Sequence, residues 1–476
     1  MKKVIKVVVF LLMLVLVIDF FGALFTPQWN DQWINTPIVR DFYNLPKNSV
    51  DVLAIGSSQV IKGFTSLELY NEYGISAYGI GISQQSIQNS YAWIKESSKT
   101  QNPKVICLEI KMLFEDTPEA QNRKGVDSMK FGLPKLECMI NDAIQGKSYE
   151  SFISYLFPLT RFHSRWKEFG TDNFIEKCET VNYRGYSFNN EMCGNLSYMY
   201  LEENIPYEST ITENRLKYFN KIVNYCEKEN IGLVLFKMPD MDWDIERHNA
   251  IKNFATQHNL TYIDFNMKDM VEKIEFDYSK DCENDNHLNI YGAEKVTNYL
   301  GNYIKENYEI KDVRENEEYS YLKEQANQYN YIVDNGKLVN IFDPGKYIEA
   351  LKNENFTVIF VKNNLVSDNS ENYINLISKD LEFDINKVSQ ANYCMIWENG
   401  KIKLEQGSDQ NIHIETDIDE DKKLIINTEN SSINFQGIER SNFHPGFDIL
   451  VYNNKNDTLI ESSYINFENG MTTMGR

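Results

Sequence analysis

The chain is poor in the residues that make repeats and flexible spacers. With 23 glycines and 11 prolines in 476 residues, it is neither a collagen-like polymer nor a linker. It also lacks a basic stripe. Its 48 Lys and Arg face 69 Asp and Glu, a net charge of −21 that repels phosphate backbones and excludes nucleic acid as a partner. No Cys-x-x-Cys pair occurs among Cys107, Cys138, Cys178, Cys193, Cys226, Cys282 and Cys394, so neither a zinc nor a redox site has its spacing. Seven cysteines cannot all pair, and their scatter reads as buried small hydrophobes rather than a disulfide framework. What the chain has is apolar mass. At 42% hydrophobic and 13% aromatic it can bury the cores of two or three domains of roughly 100–200 residues each.

Lys2, Lys3 and Lys6 precede an apolar run from Val7 to Phe25, broken only by Asp19. Such a run, at about 1.5 Å per residue, nearly spans the roughly 30 Å of a bilayer core. The lysines would hold the N-terminus in the cytoplasm, giving a single-pass anchor at the cytoplasmic membrane with the main domains outside. A cleaved signal peptide is the rival reading. It is weakened by Phe21-Gly-Ala-Leu-Phe25-Thr-Pro, which has no small-x-small cleavage site. Asp19 either lies near the outer interface or pairs with a partner in the membrane.

From Val50 the pattern alternates between strands and helices. Apolar runs at Val50–Ile55, Ile75–Ile80, Lys104–Ile110, Gly232–Phe236 and Thr261–Phe265 predict five strands. Thr65-x-x-Glu68 reads as a capping box opening a helix to Tyr73, and Ser83 as the cap of a helix carrying Ile87, Tyr91 and Ile94. Leu216, Phe219, Val223 and Cys226 mark another helix, and Val296, Leu300 and Ile304 the last. The expected fold class is α/β: a three-layer, flavodoxin-like parallel sheet with helices on both faces. Residues 115–207 interrupt it as a partly helical insert after the third strand, where inserts build or cover sites. The expected organisation is an anchor at 1–26, an α/β domain at 27–310, a charged linker at 311–330 and a mainly β accessory domain at 331–476. Strand-like runs at Phe356–Val361, Tyr393–Trp397, Leu424–Ile426 and Phe447–Tyr452 support the last.

Two stretches could carry chemistry. Gly56-Ser57-Ser58-Gln59 follows the first strand, which would expose the Ser58 hydroxyl at the carboxyl edge of the sheet. Asp285-Asn286-His287-Leu288-Asn289 precedes the last helix. An acid two residues from a histidine can hold the imidazole's other nitrogen. On this topology both stretches could meet at one sheet edge.

In these motifs the sequence resembles the SGNH (GDSL-like) hydrolase superfamily, over about Val50–Tyr308. Ser58 matches the serine of the first motif, with Ser57 in place of its Asp, and His287 matches the terminal histidine. The usual acid, three residues earlier, is Asn284. Asp285 fits the Asp-x-His variant of the alginate O-acetyltransferase-like branch, and the arrangement is similar to membrane-anchored D-alanyl-transfer proteins. The resemblance implies a Ser58–His287–Asp285 triad and an oxyanion hole from the serine N–H and a glycine, Gly81 before Gly79. The family's third-motif asparagine is missing, since the chain reads Glu109-Ile-Lys111, and Gln84 or Gln85 could supply an amide instead. The implied activity is O-acyl transfer or acetyl-ester hydrolysis on a cell-envelope polysaccharide, without a cofactor. A multi-span membrane acyltransferase is an implied partner. The alternative is a catalytically weak or inactive scaffold that binds carbohydrate.

Within the insert, Arg161, His163, Arg165 and Trp166 form a basic-aromatic cluster suited to sugar or carboxylate, and His163, Arg165 and Trp166 are candidate substrate-binding residues. Asp417-x-Asp419-x-Asp421 lacks the Gly and Glu of a calcium loop and reads as a solvated hairpin tip, so no metal is expected. His444–Tyr452 with Leu459–Ser463 looks like the small β-sandwich module of interleukin-like EMT inducers, which implies at most sugar binding.

Overall fold

The computed structural model describes residues 2–25, 35–145, 149–168, 182–197, 199–362, 381, 383–418, 422–443, 446–468 and 471–476. The chain divides into two compact units, Met1–Ala326 and Asn327–Arg476.

The first unit opens with α1 (Lys2–Phe25), whose Lys3–Gly22 stretch is long and apolar enough to cross a membrane and has no share buried. After α2 (Asn35–Asn44) come β1 (Val52–Gly56), α3 (Ser58–Gly63), α4 (Ser66–Tyr73), β2 (Ala77–Gly81), α5 (Ile87–Ser97) and β3 (Val105–Glu109). The insert supplies α6 (Glu119–Asp127), α7 (Leu133–Gln145), α8 (Tyr149–Leu156) and α9 (Leu159–Phe162). Then follow α10 (Glu213–Glu229), β4 (Gly232–Lys237), α11 (Ile245–Gln257), β5 (Thr261–Asp264), α12 (Lys268–Lys273), α13 (Tyr278–Asp281), the short pair β6 (Cys282–Asn284) and β7 (His287–Leu288), and α14 (Ile290–Asn307).

The five strands β1–β5 pair in parallel in the order β2-β1-β3-β4-β5. β1 to β4 are short, largely apolar runs buried on both faces, as a doubly covered parallel sheet requires, and the edge strand β5 is half-buried over Thr261 and Tyr262. Leu53, Ile55, Ile106, Leu108, Leu233 and Leu235 pack into one core with Trp93, Phe219, Ile222 and Ile251 from α5, α10 and α11. The alternate residues Val52, Ala54, Val105, Cys107 and Val234 are equally buried, so the opposite face is covered too. The strand order reverses between β1 and β3. In open parallel sheets a crevice forms at the carboxyl ends of such strands, and ligands bind there.

Some local expectations need correcting. Ser86, not Ser83, caps α5, its hydroxyl accepting from Asn89 N–H. Thr65 precedes α4 without a side-chain cap bond, and Gly74 closes that helix in the left-handed region. The charged stretch expected as a linker is partly helical: α15 (Ser320–Leu338) buries Leu322, Ala326, Tyr329 and Val333 along one side. Its charges occupy the outer face, which disguised the helix as a spacer.

In the second unit, α16 (Pro344–Ala350) precedes an antiparallel sheet of six strands. These are β8 (Phe356–Lys362), β9 (Asn392–Glu398), β10 (Lys401–Ser408), β15 (Phe447–Asn453), β16 (Thr458–Glu468) and β17 (Met471–Gly475), in the order β10-β9-β8-β15-β16-β17. A second sheet runs β11 (His413–Ile418), β12 (Lys422–Asn427), β13 (Ser432–Phe435) and β14 (Ile438–Glu439). Ile359, Cys394 and Leu450 of the first sheet meet Leu424, Ile426 and Phe435 of the second in one core. Asp419 and Asp421 of the acidic hairpin, and His444, lie outside the described residues.

Candidate active site

Ser57 leaves β1 and caps α3, its hydroxyl accepting from Gln59 N–H at 3.3 Å and donating to Glu109 Oε2 at 2.8 Å. Ser58 is therefore the first residue of a helical turn at the end of β1. A residue at that position keeps a backbone N–H with no intrahelical acceptor. The Ser58 hydroxyl lies 2.8 Å from His287 Nε2, across 229 residues of sequence. Gly81 ends β2 beside this turn. A Cβ there would come within 2.5 Å of Ile61 Cγ1 and 2.9 Å of the Ser57 carbonyl, so only glycine fits.

His287 stands on the tight β6–β7 turn. Asn284 Oδ1 accepts from the N–H groups of Asn286 at 3.1 Å and His287 at 3.0 Å, so the side chain three before the histidine folds the turn. Asp285 sits at its exposed tip, and its carbonyl accepts from Met241 N–H at 2.9 Å. Among the described residues no hydrogen bond joins Asp285 to the imidazole, in contrast to the expected triad contact. Burial lowers the His287 pKa below its ordinary value, Lys62 and Lys111 push the same way, and Glu283 is the main opposing charge. The imidazole is thus held neutral, the form that accepts a proton. Glu283 forms an ion pair with Lys62 at 3.0 Å.

Beneath this pair runs a buried polar network that sequence patterning did not find. Lys237 and Asp240 are both fully buried and meet at 2.9 Å. Lys111 Nζ reaches Asp240 at 2.7 Å. Burial alone would raise the Asp240 carboxyl, but the two lysines bring it down to about 2. Gln59, next to Ser58, accepts from Lys237 Nζ at 2.8 Å and donates to Asp240 Oδ2 at 2.9 Å and to the Asn286 carbonyl at 3.2 Å. Its amide so ties the serine turn to the histidine turn. Asn286 also donates to Asp242 at 2.7 Å, a second tie to the loop after β4. Glu109 occupies the region where the resembled family has its asparagine, and it accepts from Ser57 and from Lys111 N–H. A separate buried pair, His248 Nδ1 and Asp264 at 2.7 Å, also lies on the sheet's carboxyl side.

The remaining candidates divide. Gln84 is exposed in the turn after β2 at φ 51°, with no hydrogen bond among the described residues. Gln85 donates to Ser90 Oγ at 3.0 Å, and Gly79 N–H donates to the Arg184 carbonyl at 2.9 Å, so both donors are already engaged. Among the described residues, no hydrogen bond or ion pair joins His163, Arg165 or Trp166 to the serine or histidine. Their short 3₁₀ helix (His163–Glu168) instead lies by the end of α1, where Arg165 donates to the Phe25 carbonyl. His163 bonds the Thr160 carbonyl at 3.1 Å, and Trp166 is 62% exposed. Among the described residues no group of three His, Cys, Asp or Glu is placed to hold a metal ion. Cys107, Cys138, Cys226, Cys282 and Cys394 are buried free thiols.

No family model matches the chain, and no curated protein matches it. Among solved structures it is similar to one described as a lipolytic protein of the G-D-S-L family from Desulfitobacterium hafniense DCB-2. The identity is 11%, the TM-score 0.26, and the match covers 53% of this chain and 97% of that one. Likeness at this level carries no argument about this chain's chemistry.

Proposed function

We propose that the protein is a membrane-anchored serine hydrolase of SGNH type that works outside the cytoplasm as an O-acyltransferase or acetylesterase on cell-envelope polysaccharide. The observation that carries this reading is the 2.8 Å approach of Ser58 Oγ to His287 Nε2, at the point where the strand order reverses. Neutral His287 takes the hydroxyl proton as Ser58 Oγ attacks an ester carbonyl. The oxyanion is met by the Ser58 N–H, with Gly81 and Gln84 as further donors. The carbonyl re-forms, the leaving alcohol departs with the proton from His287, and the acyl-serine remains. A sugar hydroxyl or water, deprotonated by His287, attacks this ester and releases Ser58. α1 holds the domain at the membrane, near any membrane-embedded acyl donor.

A second reading, a carbohydrate-binding scaffold with little turnover, is favoured by the exposed Asp285 and by Glu109 in place of the asparagine. A chromogenic acetyl ester assay, with and without oligosaccharide, separates the two. Turnover by wild type that vanishes in Ser58→Ala and His287→Ala supports the enzyme; equal rates in all three support the scaffold. Acetylated oligosaccharide among the products identifies transfer.

A further inference from the structure

In the first unit lies a cleft of about 630 Å³, walled by the start of α5, the loop after β3, helices α6, α7 and α8, and the first turn of α10. Its size falls within the roughly 300–1,000 Å³ of small-ligand sites. Two chains of residues link its wall to the serine site. Ser86 on its wall follows directly from the turn that carries Gln84. Glu115 on its opposite wall lies 3.6 Å from Lys111 Nζ, which also grips Asp240 beneath Gln59.

The lining is polar but its charge is largely compensated. Asp116 pairs with Arg215, Glu119 pairs with Arg123 at 2.8 Å, and Glu115 faces Lys111 and Arg247. Asp142, on α7, accepts from Tyr155 Oη at 2.7 Å and Asn122 Nδ2 at 2.8 Å. Its burial raises its pKa despite these bonds. Between these groups stand amides such as Asn122 and Asn214. An anionic ligand would meet the carboxylates of Glu115, Asp116, Glu119 and Asp142, while the lining's Arg123 and Arg215 are already paired. An acyl chain would lie against a polar wall and leave the half-buried Asn214 amide, which has no hydrogen bond among the described residues, unpaired. A ligand rich in hydroxyls satisfies both kinds of group, donating to carboxylates and accepting from amides.

We propose that this cleft is the acceptor subsite and holds one uncharged sugar unit of the polysaccharide, with the insert serving as its wall. The proposal rests on the acyl-transfer reading above, and its test separates the two. Full-length Ser58→Ala protein in detergent is titrated with chitotetraose, cellotetraose or tetragalacturonic acid and read by saturation-transfer NMR. At least one uncharged tetrasaccharide binds, and the galacturonate does not. Asn214→Trp and Thr117→Trp, which fill the cleft from its accessible rim, weaken that binding by about tenfold or more. In the Ser58 background, the same two variants label with a fluorophosphonate within about twofold of wild type. The subsite is overturned if neither uncharged tetrasaccharide binds, if the galacturonate binds equally well, or if both tryptophan variants bind as wild type does. It is also overturned if both variants lose labelling along with binding. Wild-type protein that never labels, yet binds sugar in the cleft, sinks the acyl-transfer reading and leaves the sugar site standing.

Discussion

Replacing Asp240 by Asn tests the charge network under the site. In the native protein this carboxyl is held at about 2, against an ordinary 3.8, by Lys237 and Lys111. At roughly 1.36 kcal/mol per pH unit, that difference corresponds to about 2–3 kcal/mol of stability. Because the folded-state value is depressed, the contribution is fully present above pH 3.8 and is lost as pH falls through about 2. The substitution also strands the fully buried Lys237 charge, while Lys111 keeps Glu115 at 3.6 Å, and breaking a buried pair typically costs about 3–5 kcal/mol. Urea denaturation of wild type and Asp240→Asn from neutral pH to about pH 2 therefore gives a gap of a few kcal/mol that narrows as the wild-type carboxylate protonates. A neutral-pH gap under about 0.5 kcal/mol, the scale of a surface change, would refute the reasoning. So would a gap that stays constant across the acid range.

The remaining predictions concern the reacting groups. Since burial depresses His287 and Glu283 is its main counterweight, the acid limb of ester hydrolysis falls below the ordinary 6.5 of histidine and moves lower still in Glu283→Gln. Asp285→Asn leaves that limb in place, and a limb that shifts with Asp285 but not with Glu283 contradicts the assignment of charges. Gly81→Ala places a methyl against Ile61 and the Ser57 carbonyl, costing about 1–3 kcal/mol in stability and much of the hydrolysis rate. Wild-type stability and rate in that variant would mean the turn has room the structure does not give it.

The parallel sheet was legible because β1 to β4 are short, largely apolar runs bounded by turn residues, and their burial on both faces erases any polar alternation. Ser58 and His287 were legible because a small polar cluster follows the first strand and a lone histidine precedes the last helix. The network between them was not. Lys237 and Glu109 stand at the ends of apolar strands, where a charge marks the sheet's carboxyl edge, but their partners Gln59, Asp240 and Ser57 are set by tertiary pairing without a period. Asp285 was misplaced for a local reason. Both Asn284 and Asp285 suit a turn, and the structure uses the asparagine side chain to fold it, leaving the aspartate at the exposed tip. The cluster around Trp166 was composed like a ligand site yet lies beside the apolar helix, a placement that composition cannot encode.

The central claim is that His287 activates Ser58. It is tested most directly by treating the full-length protein with a fluorophosphonate and mapping the adduct by peptide mass spectrometry. The account predicts a single adduct on Ser58, formed fastest above the His287 titration, absent in Ser58→Ala and slowed by orders of magnitude in His287→Ala. An adduct at any other residue, or labelling of Ser58 that is indifferent to His287, would contradict it.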